Sequence, residues 1–413
     1  MSPPRWSPDG RWIAAAAHGP TGDWASLVFD AASGAQRRLR PTQRLGSMSV
    51  PVWSSDGRDL LYVQTAAQGG QSGRLVRQRF TGGDTATLLR LFAPGPGLDA
   101  AGRGRMVGDT AVVRQNLREY TPEGGAFESP RWLTRGFSED DEPVYSQDGG
   151  EIVFTSNRGG NRDLWALSIG SGTLRRLTDH PAEDRDPHVT RSGRILWASN
   201  RTGAFEVWMA EADGRSPRQV THGGTHARHP VATPDEAWIL YTTLDPDRGG
   251  VWKIRSDGSE PTRLTPGNAA LADVSPDGRL MLLVEQRPPQ VILIVVHLDD
   301  MKLVPFEVAL RGSTARQEGP DESEYVPGCA RLMPNGRALA FVDEDEYGRR
   351  GVWIRDLTPA GGGATGRRPL VGFAPDTQTE CFAISPDGRR VALALKEVSR
   401  HLVLIDGIGG MGR

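Results

Sequence analysis

The pentapeptide Ser-Pro-Asp-Gly-Arg occurs at residues 7–11, 275–279 and 385–389. Variants of it begin at Ser54, Ser146, Thr190, Thr233 and Met333. From Ser146 the motif steps to Thr190, Thr233 and Ser275, intervals of 44, 43 and 42 residues. A fixed period of this length restricts a chain to a propeller or a solenoid, because each unit buries its apolar face only against a copy of itself. Inside each unit, short apolar or alternating runs such as EIVFTS, RILWAS and WILYTT are separated by Gly, Pro, Asp and Asn. That is strand patterning, and no stretch carries a helical period. Each unit supplies four strands: A before the turn, B after it, C around a tryptophan, and D ending in a sequence like RRLT. Four strands in about 40–45 residues is the arithmetic of one propeller blade. The expected fold is an all-β propeller of four-stranded blades.

The motif is a hairpin corner between strands A and B. Proline presets φ, aspartate accepts from nearby backbone N–H groups, and glycine supplies the positive φ that lets the chain re-enter. Its aspartates are structural. The recurring tryptophans Trp165, Trp208, Trp252 and Trp353 are read as packing between blades rather than as a sugar-stacking platform, and Trp208→Ala is expected to cost roughly 3–5 kcal/mol.

Nine units open near Pro4, Pro51, Ala101, Pro143, Pro187, Pro230, Ala272, Ala330 and Phe382. The third keeps only its C and D strands, and the ninth lacks D. We expect one closed ring of about eight blades, with seven to nine allowed, over residues 1–408, a missing ninth D strand supplied from the N-terminal end, and a disordered tail over 409–413. The alternative places the first two units in a separate, incomplete propeller.

Composition narrows the function. Net charge is −2, which offers no basic surface for nucleic acid. Glycine, at 51 of 413 residues, exceeds its usual share of about 7% and fits a chain that turns often. The longest apolar run, 291–296, is far too short to span a membrane. The opening residues carry no apolar leader, so a cytoplasmic chain is expected, or a periplasmic or extracellular one if a segment lies upstream. Cys329 and Cys381 hold equivalent strand-A positions in neighbouring units and are read as reduced core thiols, a disulfide requiring Cα atoms within about 7 Å.

The pattern PxWSPDG…IAFTSNRxGxxDLWxxxxxxGxxRRLT, best represented over 143–178 and 187–221, resembles the TolB-like propeller repeat, a WD-type repeat containing Pro-Asp. Residues 372–408 resemble the end of TolB-like propellers attached C-terminally to bacterial serine/threonine protein kinases. The resemblance implies a non-catalytic sensor or docking module, or a standalone relative of one. The chain has no kinase signature of its own: neither a Gly-rich loop opening a strand, nor HRD, nor DFG.

No serine has glycine at both −2 and +2, so the nucleophile elbow of a serine hydrolase is missing. Residues 361–366, GGGATG, match a dinucleotide fingerprint in letters only, since no helix follows. In THGGTHARHP, His226 and His229 are the candidate metal ligands, with His222 nearby. Their spacing fits no firm signature, and no cofactor is expected. Acidic segments recur before strand A. Because D–A and B–C connections share one face of a propeller, Asp140, Asp141, Glu183, Asp184 and Asp186 are expected on one binding face with Arg158, Arg201, Asp245 and Asp247. Residues 305–328 break the period and are read as a lid or docking loop. The reading is a monomeric, non-catalytic scaffold for a protein or peptide, with a small ligand also admitted. The alternative is a metal-dependent, lyase-like carbohydrate enzyme using His226 and His229.

Overall fold

The computed structural model describes residues 4–18, 24–39, 47–65, 72–81, 84–92, 94–102, 105–123, 126–243, 245, 247–265, 267, 269–287, 290–310, 330–357, 366–374 and 378–406. Cys329, most of the GGGATG segment, the greater part of the 305–328 loop and the 409–413 tail lie outside them. The described residues contain strands and turns and no helix. The chain divides into two compact units, Arg114–Glu397 and Met1–Val113 with Val398–Arg413.

The larger unit holds five complete antiparallel sheets of four strands in sequence order. The first is Asp140–Tyr145, Glu151–Ser156, Asp163–Ser168 and Leu174–Arg176. The next two start with Asp184–Val189 and Ala227–Ala232, and the last two with Ala269–Val274 and Ala330–Leu332. A sixth sheet is assembled from both ends of the unit. Gln378–Ile384 pairs with the beginning of Val391–Ile405, which pairs with the latter part of Arg105–Glu123, which pairs with Ala126–Trp132. The third unit of the sequence thus supplies both C and D strands to the ninth: the stretch expected to be the ninth's own C strand continues its B strand in Val391–Ile405, and the missing D strand is Ala126–Trp132 rather than one from the N-terminal end. The six A strands neighbour one another in cyclic order, the first meeting the sixth. The ring therefore closes with six blades, and the expectation of about eight in one ring is corrected. The physical reason is that units three and nine are half-blades, each left with an open edge until the other pairs with it.

The smaller unit has two further blade-like sheets, beginning with Arg5–Trp6 and Ser47–Met48, and a third made of Pro94–Gly102 with the beginning of Arg105–Glu123 and the end of Val391–Ile405. Its core includes Trp12 and Trp53, each edge-on to Phe80 at centroid distances of 5.1 and 5.2 Å.

The recurring turn is built as its residues dictate. In the Ser275 copy, the Ser275 hydroxyl donates to Asp277 at 2.6 Å, Arg279 N–H donates to the same carboxylate at 3.0 Å, and Leu280 N–H donates back to Ser275 Oγ at 2.8 Å. Gly278 takes φ +73°. The Ser7, Ser54, Ser146, Thr233 and Ser385 copies repeat the hydroxyl–carboxylate bond. Between the sheets, apolar strand faces interdigitate. Val153 and Leu164 of the first blade meet Ile195 and Trp197 of the second.

Candidate functional site: the axial cavity of the six-bladed ring

The innermost strands of the first three blades share one irregularity. Register slips between Asp141 and Val144, between Arg185 and His188, and between Arg228 and Val231. In each, two residues oppose one large aromatic: Glu142-Pro143 faces Phe154, Asp186-Pro187 faces Trp197, and His229-Pro230 faces Tyr241. Proline has no N–H to give to the ladder, so it sits in a bulge without losing a bond. The residue before it is left-handed each time, with φ of 51° at Glu142, 55° at Asp186 and 53° at His229. Non-glycine residues adopt this region only where surrounding contacts hold them there, and such positions concentrate at functional sites. The bulges expose these side chains to the ring's axis, where a cavity of about 490 Å³ is lined by all six innermost strands.

Carboxylates link the blades around this cavity. Cys381 Sγ–H of the sixth blade donates to Asp141 Oδ1 at 2.7 Å, and Glu142 N–H donates to the same sulfur at 3.2 Å. Glu142 Oε2 accepts from Thr155 Oγ1 at 2.6 Å and from Asp186 N–H of the second blade at 2.8 Å. Asp186 accepts from Arg228 Nε at 2.5 Å and from His229 N–H of the third blade at 3.1 Å. His229 Nε2 stands 3.5 Å from Asp186 Oδ1. On the fourth blade, Asp273 accepts from Leu332 N–H of the fifth at 2.9 Å.

The network moves its members' proton affinities apart. Burial, with Asp186 and Asp141 beside it, pushes the Glu142 carboxyl up to about 7. Burial acts to raise Asp186 as well, but Arg228 and His229 outweigh it and hold that carboxyl far below the ordinary carboxylate range. Burial takes His229 down to about 4, against the pull of Asp186 and helped by Arg228 and Arg331. His188 falls to about 4 through burial and then Arg331. Both imidazoles are neutral at physiological pH.

One consequence is testable. The unfolded chain releases the Glu142 proton near its ordinary value of 4.5 and the folded chain releases it near 7. The stability this group contributes is therefore fully present below the lower value and is lost as pH rises to the upper one. Glu142→Gln is expected to melt close to wild type at about pH 5 and several degrees above it at about pH 8. A melting-temperature difference that stays constant over that range would remove the assignment. His188 and His229 act in the opposite sense, costing stability as pH falls from 6.5 toward 4.

The expected binding face is redistributed by the structure. Asp140, Asp141, Asp184, Asp186 and His229 stand on A strands rather than in loops. Asp140 receives Arg158 Nη2 on both oxygens at 2.6 and 2.7 Å, and Asp184 receives Arg201 Nη2 at 3.0 and 2.9 Å. Both aspartates are buried, so these pairs fasten strand A to the B–C turn and are no open surface. The same arginines cover the C-strand tryptophans, Arg158 at 5.3 Å over Trp165 and Arg201 at 4.6 Å over Trp208. Glu183 binds Arg185 at 2.8 Å and keeps part of its side chain at the surface. Asp245 accepts from the N–H groups of Asp247 and Arg248 at 2.9 Å each, which shapes its turn. His226 also has a positive φ, 51°, but Asp186 and His229 are the pair that meet. Among the described residues no group of three or more His, Cys, Asp or Glu side chains is placed to hold a metal. The sequence reading missed Glu142, His188, Asp273 and Arg331. The first had a signal, since Glu142, Asp186 and His229 each precede the proline that opens a unit.

Fold and cavity together define a β-propeller whose ring carries a polar axial site. The family model of the TolB β-propeller domain matches residues 126–273, so that part of the ring is TolB-like. The Tol-Pal system protein TolB of Anaeromyxobacter dehalogenans strain 2CP-C is 33% identical over 115 residues, 27% of this chain and 26% of the relative. The match thus spans about a quarter of that protein's length. Among solved structures, TolB from Acinetobacter baumannii aligns at a TM-score of 0.36 with 13% identity, covering 73% of this chain and 63% of that one. An oligogalacturonate lyase in complex with manganese aligns at 0.38 with 13% identity, covering 86% and 88%. No helix among the described residues is long and apolar enough to cross a membrane.

Proposed function

We propose that this chain is a non-catalytic propeller scaffold that binds a protein or peptide at the end of the six-bladed ring where the bulged A strands open. The observation that supports this is the bulge series itself. Three successive blades hold strained, polar, pre-proline residues around one axial cavity, and these groups are tied to one another rather than arranged as nucleophile, base and oxyanion donors. A rigid ring with a differentiated end is a recognition surface. In this reading the chain works as a cytoplasmic monomer, as a sensor or docking module of the kind joined to bacterial serine/threonine kinases.

The test is selection of a random displayed peptide library on the full chain. Peptides that bind in the micromolar range are expected, and they should bind at least about tenfold more weakly to a Glu183→Lys/Asp247→Lys variant. Failure to enrich any binder, or binders indifferent to both charge reversals, overturns the reading.

A further inference from the structure

The carboxylate links around the axial cavity have one gap. Blade six is joined to one, one to two and two to three by the contacts of Asp141, Glu142 and Asp186, four is joined to five by Asp273, and five is joined to six by Glu380, which accepts from Arg350 Nη1 at 3.4 Å. At the third blade the series stops on His229, whose Nδ1 is buried without a hydrogen-bond partner. Its Nε2 faces Asp186, so Nδ1 presents a lone pair. A buried acceptor left this way costs about 1–3 kcal/mol unless something fills it.

The cavity wall near this gap also carries a cation with unused donors. Arg331, on the fifth blade's innermost strand, spends Nη1 on two backbone carbonyls, Ala272 O at 3.2 Å and Ala330 O at 2.9 Å. No carboxylate lies within ion-pair distance of it among the described residues, and its remaining N–H groups make no hydrogen bond there. Its charge reaches both His188 and His229. Arg228, by contrast, is already paired with Asp186. The planar fork of an arginine with free N–H groups matches a carboxylate. The neighbouring Glu142, Asp186 and Asp273 disfavour a dianion such as phosphate. The rest of the wall includes Val189, Val231, Val274 and Leu332, which suit an apolar body.

We propose that the axial cavity is a subsite for a monocarboxylate with an apolar body, its carboxylate on the free N–H groups of Arg331. Two sources share this chemistry, a free small-molecule acid and the C-terminus of a peptide. The inference rests on the binding-scaffold reading and assigns the ligand chemistry of the same ring.

The experiment is calorimetric titration of the full chain with four probes. These are N-acetyl-phenylalanine, its primary amide, 3-phenylpropionate, and an acetylated tetrapeptide ending in free-acid phenylalanine. N-Acetyl-phenylalanine and 3-phenylpropionate are each expected to bind at least about tenfold more tightly than the amide. Arg331→Gln should abolish the preference for acid over amide, and Arg331→Lys should restore it in part. A tetrapeptide much tighter than the single amino acid identifies a peptide terminus as the source, and equal affinities identify a small metabolite. Equal binding of acid and amide to the wild-type chain overturns the proposal without any variant. So does retention of the acid preference in Arg331→Gln, or no binding of any probe up to about 1 mM. If selected peptides bind and respond to the Glu183 and Asp247 reversals while these probes fail, the scaffold reading stands and the carboxylate subsite falls.

Discussion

Asp184→Ala is expected to destabilise the larger unit by about 3–5 kcal/mol. Asp184 is fully buried and holds Arg201 through both oxygens while accepting from the Trp197 indole N–H at 3.2 Å. Removing it leaves a guanidinium that is only 13% exposed without a counter-charge, together with an orphaned indole donor. A broken buried pair costs more than the pair contributed, because the surviving charge cannot recover its water. Asp184→Asn keeps an acceptor for Trp197 and should lose less. Urea denaturation is the check, and a loss under about 1 kcal/mol for the alanine variant would show that Arg201 finds water.

Trp197→Ala is expected to cost about 3–5 kcal/mol. Trp197 is 1% exposed and packs among Val153, Leu164 and Ile195 at the junction of two blades, so its truncation leaves a cavity that two sheets must share. Trp208 is half-buried under Arg201. Its truncation removes area that is partly in water, so its cost is expected near 2 kcal/mol, below the range that its recurrence suggests. The same urea series measures both, and Trp208→Ala equal to or worse than Trp197→Ala would reverse the assignment.

That pair of tryptophans shows what was legible. Trp208 recurs with Trp165, Trp252 and Trp353 at the blade period, so the sequence marks it. Trp197 stands in strand B where the neighbouring blades have Phe154 and Tyr241, and nothing in its spacing says that it is the more buried of the two. Likewise Asp140 and Arg158 are visible as charges near one end of a blade. Their mutual burial is visible only when strand A and the B–C turn are brought into register.

Blade identity, strand order and the turn were determined by local chemistry. A Ser-Pro-Asp-Gly corner satisfies its own donors and fixes its own φ, and period-two patterning selects strands without reference to anything distant. The number of blades in the ring was not local. Units three and nine each read as damaged, and they are repaired only by pairing across some 270 residues of chain, an event that hydrogen-bond satisfaction at open edges decides. The site is likewise tertiary. Glu142, Asp186, His229 and Arg331 lie on four different blades, and the separated proton affinities of the first three and the unfilled His229 acceptor arise only when ring closure excludes water from the axis they share.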